Sequence, residues 1–416
     1  MKYFLTIWVG LIVVFSCSGQ SRIDFLSAHN QDLRAKNFKF NPSNFKIIGF
    51  GAYHGSTKTE EVELLILASL IKQNSIKYYL PETDFSTAHF FNQYLNNGDT
   101  LLLKELISIY GKRVPQDASI ETYNKWVKLK VLNDNLTENK KLTVIGIDKI
   151  ADLSKAVKYL DNLVITDSAN PFFRNLNQLA HNDTSSFSAY YDSYAKNKLR
   201  TMMSIYEKNK LNFAKYIRDT SIFNYIINDI KKTFDGEHPR EQTIYENYIE
   251  LGKIYNFKTN PQFVRFGFFH LEKSRAGAKG YPSFFTRLIE NEVYSKNEVL
   301  SVIGYLTKSK VLWNQKYNKA GNYKGYTTKA GYGIGDYWKE YFRGIKYLKK
   351  SKLSDITLFK LNSINSPYNQ QPDLIEVKLF FKPKNGAHLK EMNTLDFIDY
   401  AVLISNSKAS IPIQEL

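Results

Sequence analysis

FKIIGFGAYHGST, residues 45–57, is a β-branched and aromatic run that ends in glycine and leads into a polar turn carrying His54. Such a run, closed by a glycine-rich turn, predicts a buried strand over 45–50. Just beyond it, TEEVELLILASLIKQ (59–73) repeats its apolar residues at helical spacing, with acids in the first turn, and predicts a helix. A second strand is predicted over 75–80 (SIKYYL), helices over 86–95 and 122–136, and a third strand over 142–147 (LTVIGI). Strands alternating with helices predict an α/β fold with a mixed, mostly parallel sheet flanked by helices.

From about residue 150 to 257 the texture changes to long Tyr-, Asn- and Lys-rich stretches with helical spacing. This segment is expected to be a helical lobe inserted into the sheet domain. Strand signals return over 262–268, 298–305, 355–361, 374–381 and 400–405. The sheet is therefore expected to continue past the insertion, and residues 45–416 to form one composite domain. There is no fixed-period repeat and no long Pro- or Ser-rich linker. Residues 308–352 carry 12 Lys or Arg, two acids and seven tyrosines. They predict either an irregular surface excursion of a lysine-rich chain or a mobile basic loop that holds an anionic or sugar-like ligand.

The 416 residues are 43% hydrophobic and 23% charged, which excludes a disordered, collagenous or coiled-coil protein. A net charge of +17 favours anionic partners, but no zinc-finger, basic-zipper or single-strand-binding signature accompanies it, so nucleic acid is not an expected partner. The N-terminus has one lysine, an apolar run over 3–15 and then Ser16-Cys17-Ser18-Gly19, the pattern of a secretory signal. That run is shorter than the roughly 20 residues of a membrane span. Cys17 is the only cysteine, and its setting resembles a bacterial lipobox. Residues 1–17 are expected to be a signal peptide with Cys17 lipidated, and 18–44 a tether to the cell envelope, on its outer-membrane or periplasmic face. Ordinary cleavage near Gln20 is the alternative. In either case the mature chain has no thiol chemistry available.

Ligands of open α/β sheets sit beyond the carboxyl ends of the strands. His54, Glu82, Asp148 and His270 all follow predicted strands directly. In a hydrolase, His54 would take a proton from water, since imidazole changes charge near neutral pH. Glu82 would orient that water or the imidazole, and His270 would polarise a carbonyl or serve the leaving group. Arg240, which the family resemblance given below singles out, would be an anion or oxyanion partner, or the structural partner of a strand-end acid. Asp148 and His89 are the candidate substrate-binding residues; the plainer readings are loop fixing by Asp148 and a helix-surface position for His89. No resident cofactor is expected. A zinc-type set of His54, His270 and Glu82 is the weaker alternative, without a His-Glu-x-x-His helix behind it. A serine nucleophile is not expected, because no Gly-x-Ser-x-Gly elbow occurs.

IIGFGAYHGS and YYLPETDFSTAHFFNQYLNNGD resemble the erythromycin esterase-like hydrolases. Further matches follow in order: Trp126, Gly146-Ile147-Asp148, Arg240-Glu241 with Glu246-Asn247, Phe269-His270, and the closing FIDYAVLISNSKASIP, so the resemblance spans about residues 45–412. It implies catalytic roles for His54, Glu82, Arg240 and His270. Two positions depart from the pattern. The family's Glu three residues before the histidine is Gly51 here. Of its paired strand-end histidines one is missing, replaced by Lys273 or by Gly267 according to which of the two His270 represents. The expected function is an exported hydrolase that cleaves an ester or related acyl bond of a small-molecule or glycan-like substrate with histidine-activated water. The alternative is an inactive surface protein that binds a glycan, haem or lipid in the same cleft.

Overall fold

The structure, a computed structural model, describes residues 21–416 except 74, 166–169, 237, 332–333 and 386–387. The predicted signal peptide and Cys17 lie outside the described residues. In chain order the strands are β1 (Asn30–Asp32), β2 (Ile47–Gly51), β3 (Tyr78–Pro81), β4 (Thr143–Val144), β5 (Gln262–Phe266), β6 (Val299–Thr307) and β7 (Lys310–Tyr317). They continue as β8 (Tyr323–Ala330), β9 (Asp336–Tyr337), β10 (Glu340–Phe342), β11 (Ile356–Lys360), β12 (Val377–Leu379), β13 (Lys382–Pro383) and β14 (Tyr400–Ser405).

The chain divides into two compact units rather than the single domain expected over 45–416. The first holds the described residues up to Ile76, the short stretch Ser119–Lys125, and Pro261–Leu416; the second holds Lys77–Ala118 and Trp126–Asn260.

In the first unit the strand order is β1-β11-β14-β6-β2-β5. β14, β6, β2 and β5 run parallel to one another, while β1–β11 and β11–β14 pair antiparallel. Every residue of β2, β5, β6 and β14 is buried, as expected of parallel strands covered on both faces. The helices Thr57–Lys72 and Phe284–Glu290 belong to this unit. The α/β architecture with a mixed, mostly parallel sheet is thus the one the sequence predicts.

Three expectations are corrected here. Residues 21–44 are not a free tether: 21–28 are helical, Arg22 is buried in an ion pair with Asp373 (2.7 Å), and β1 joins the sheet edge. Leu26, Leu33 and Phe40 supply the buried anchors that a merely polar reading of the segment overlooks. The basic segment is ordered into the hairpin β7–β8 and the strands β9 and β10, because alternation of half-buried and exposed residues lets a polar chain pair with itself. The predicted strand over 374–381 shortens to β12, which joins a separate antiparallel sheet in the order β13-β12-β10-β9.

In the second unit β3 and β4 are parallel. Five helices cover the predicted lobe: Ser154–Asn162, Pro171–His181, Tyr194–Phe213, Thr220–Phe234 and Arg240–Tyr255. The unit is larger than the lobe, because it also takes β3, β4 and the helices Phe85–Asn97 and Thr100–Tyr110. Asp84 caps the first of these by accepting from Thr87 N (2.9 Å), and buried Trp126 stacks on Phe91 with ring centroids 4.0 Å apart.

Candidate active site

β2 and β5 lie side by side and parallel, with Gly51 opposite Phe266, so the turns that follow them leave the same end of the sheet. The turn after β2 carries His54 and then Gly55, whose φ of 79° is left-handed and suits glycine. The Gly55 carbonyl accepts from Leu312 N (2.7 Å) and Ser410 N (2.9 Å), which fixes the turn from two sides. Ser56 stands at the N-cap of the next helix, but its side chain does not cap it. Its hydroxyl instead donates to Ser407 Oγ (2.6 Å), and Thr57 N donates to the Lys408 carbonyl. The turn after β5 starts at Gly267 and continues as a short 3₁₀ segment, Phe268–Leu271, that holds His270.

The two imidazoles meet at Gly267. A Cβ there would stand 3.4 Å from His54 Nε2, 3.5 Å from His270 Cδ2 and 4.0 Å from His270 Nε2. Beside them opens a cavity of about 380 Å³, walled by Tyr53, His54, Phe268, Tyr305, Phe342 and Val377. Its charged wall residues are Glu340 and Lys384, which pair at 3.0 Å. Burial, with Glu340 adding, pushes the Tyr53 phenol up, so it stays protonated.

The elements that flank the two turns share a buried ionic cluster that the sequence does not announce. Lys125 Nζ reaches Glu60 and Glu63 at 2.7 Å each, and Arg265 Nε stands 3.3 Å from Glu63. Glu60 and Glu63 belong to the helix that follows His54, and Arg265 to the strand that precedes His270. The cluster therefore ties together the elements that carry both histidines. Removing one member would leave a buried charge unpaired, at a cost of about 3–5 kcal/mol. An arginine inside the apolar run QFVRFGF was the available signal. Glu272, two residues past His270, also went unread; burial pushes its carboxyl up to about 8.

The departures from the family pattern have structural content. A Cβ at Gly51 would meet Ile303 Cδ1 at 3.0 Å, Leu271 Cδ1 at 3.1 Å and Phe268 Cα at 3.2 Å, so apolar packing fills the space a longer side chain would need. Lys273 is buried against Asp399 (2.8 Å), and burial pushes its ammonium pKa down.

The remaining candidates belong to the second unit. Glu82 follows β3, Asp148 follows β4, and Arg240 opens the helix Arg240–Tyr255. The guanidinium bridges the two acids, with Nη2 2.6 Å from Glu82 Oε1 and Nε 2.8 Å from Asp148 Oδ1. Burial opposes its charge, but Asp148 and then Glu82 outweigh burial and hold its pKa up. Asp148 also accepts from Lys149 N (2.7 Å) and stands 3.5 Å from Arg113 Nε. His89 is stacked on Tyr159, rings 3.7 Å apart, and burial pushes its imidazole down to about 4, so it is neutral at ordinary pH. The structure thus brings His54 and His270 together in one unit, and Glu82, Asp148 and Arg240 together in the other. Among the described residues no group of three or more His, Cys, Asp or Glu side chains is arranged to hold a metal ion. No described helix is long and apolar enough to cross a membrane.

No family model and no curated protein matches the chain. Solved structures do. A succinoglycan biosynthesis protein superposes with a TM-score of 0.64 at 14% identity, over 94% of this chain and 98% of that one. A Bacillus cereus protein gives 0.60 at 15% identity, over 95% and 99%. An erythromycin esterase mutant in its open conformation gives 0.56 at 14% identity, over 89% and 93%. At such identities the likeness concerns the fold, and it leads to one statement: this chain has an erythromycin esterase-like fold.

Proposed function

We propose that the protein is a hydrolase that cleaves an ester or related acyl bond with water activated by His54. The observation that carries this reading is the convergence of two imidazoles on one point above Gly267, within 3.4 Å of His54 Nε2 and 4.0 Å of His270 Nε2. The two ring edges thus flank one space, left open because residue 267 has no side chain, and the attacking water of this reading lies in that space. His54 accepts a proton as the water oxygen bonds to the acyl carbon. The bond to the leaving oxygen then breaks, and that oxygen takes the proton His54 acquired, while His270 donates a hydrogen bond to the acyl oxygen as charge develops on it, so both imidazoles end as they began. Glu82, Asp148 and Arg240 form a mutually satisfied ionic group, which supports a fixing role for them in the second unit.

A second reading is favoured by the filled space at Gly51: a binding protein that uses the same cavity without turnover. One experiment separates the two. On a broad panel of chromogenic esters, His54→Asn should lower kcat by roughly 10²-fold or more while the melting temperature stays near that of the parent. Indistinguishable rates for parent and variant across the panel would discard the hydrolase and leave the binding protein.

A further inference from the structure

The cavity beside His54 has a composition that selects its occupant. At about 380 Å³ it lies near the small end of ligand pockets, which run from about 300 to 1,000 Å³. Phe268 and Phe342 face each other with centroids 5.6 Å apart and planes 15° from parallel. Tyr305 meets Phe342 edge-on (5.0 Å, 87°), and its hydroxyl donates to the Leu374 carbonyl (2.8 Å), so the phenol is turned away into a fixed bond. Glu340 and Lys384 carry opposite charges and neutralise each other. Rings of this kind favour flat partners, through offset or edge contacts worth about 0.5–1.5 kcal/mol each beyond the area they bury.

We propose that this cavity takes an uncharged aryl group of one or two fused rings, and that the substrate of the hydrolase is an ester carrying such a group. The inference rests on the hydrolase reading only for the word ester. His54 and Gly267 line the same cavity as Phe268, so a ring seated on Phe268 holds its attached ester close to the His54 imidazole. Phe342 comes from β10 in the small antiparallel sheet, so the specificity wall and the reacting histidines sit on separate elements of one unit. Substitutions in β10 can therefore change the accepted ring without moving the histidine turns.

Calorimetric titration of the full mature chain with 2-naphthol, a product-like probe, tests the proposal without requiring turnover. Saturable binding at one site is expected. Phe342→Ala, which removes a platform, and Val377→Phe, which fills the volume, should each weaken binding at least about tenfold. Phe342 and Val377 are both only half-buried, and unchanged circular dichroism would show that the variants fold. Absence of saturable binding to the parent, or equal affinity in the parent and both folded variants, would overturn the aryl site. Hydrolysis of 2-naphthyl acetate by parent and His54→Asn then reads the other question separately. Naphthol binding without turnover removes the hydrolase and keeps the aryl site. Turnover of small aliphatic esters without naphthol binding does the reverse.

Discussion

Gly267 has φ −61° and ψ 161°, values that any residue adopts, so its glycine is not there for backbone freedom. What a side chain would change is the space between the imidazoles. A methyl group would touch His54 Nε2 and His270 Cδ2 at 3.4 and 3.5 Å, ordinary contact distances. Gly267→Ala should therefore fold with a melting temperature within a few degrees of the parent, yet lose ester turnover by at least about tenfold, because the methyl narrows the space between the two imidazoles. Steady-state kinetics beside a thermal melt would check it; full activity in a stable Gly267→Ala would move the reaction away from the histidine pair. At this scale the sequence exposes His54 and His270 well, since each directly follows a strand and ends of parallel strands converge. It hides Lys125 and Arg265, whose partners are named only by tertiary contact. Glu60 and Glu63 look like the solvated first turns of any helix until a buried cation is set against them.

Between the helices Thr220–Phe234 and Arg240–Tyr255, Asp229 accepts from Asn247 Nδ2 (3.0 Å). Burial, opposed by that hydrogen bond and reinforced by Asp84, pushes its carboxyl up to about 7 from 3.8. Burial likewise pushes Asp84 up to about 6. A carboxyl whose folded pKa is raised costs nothing where both states are protonated. It destabilises increasingly as the unfolded state ionises first, and the cost levels off once the folded state ionises too. Asp229→Asn keeps an acceptor for Asn247 and removes the charge. Its melting temperature should match the parent below about pH 4, pull ahead as pH rises toward 7, and hold a constant lead above that. A lead independent of pH would show that Asp229 is not strained by ionisation. Elements were legible where burial enforces a pattern: β2, β5, β6 and β14 are continuous apolar runs. They were illegible where it does not. β1 is a three-residue edge strand of polar residues, and β8 alternates only between half-buried and exposed positions, so neither carries the apolar period that announces a strand.

For the molecule as a whole, the division at Lys77 rather than near residue 150 was not visible, because no linker composition marks it. The fold class was visible, because alternation of strand and helix signals survives division into units. Lipidation of Cys17 in its lipobox-like setting is a proposal that the mature N-terminus can test. Mass spectrometry of the mature protein should find an acylated Cys17 as its first residue, and Cys17→Ser should shift the protein from the membrane to the soluble fraction; an unmodified N-terminus beyond Gly19 would establish plain secretion. β14, finally, lies between β11 and β6 in the middle of the first unit's sheet, yet follows both of them in the chain, at Tyr400–Ser405. During synthesis that sheet has a gap at its centre until β14 emerges, with β6 and β11 presenting open edges that could pair with other chains. The order of manufacture thus opposes early closure of the sheet on the ribosome, and truncation ahead of Tyr400 would remove its centre rather than its fringe.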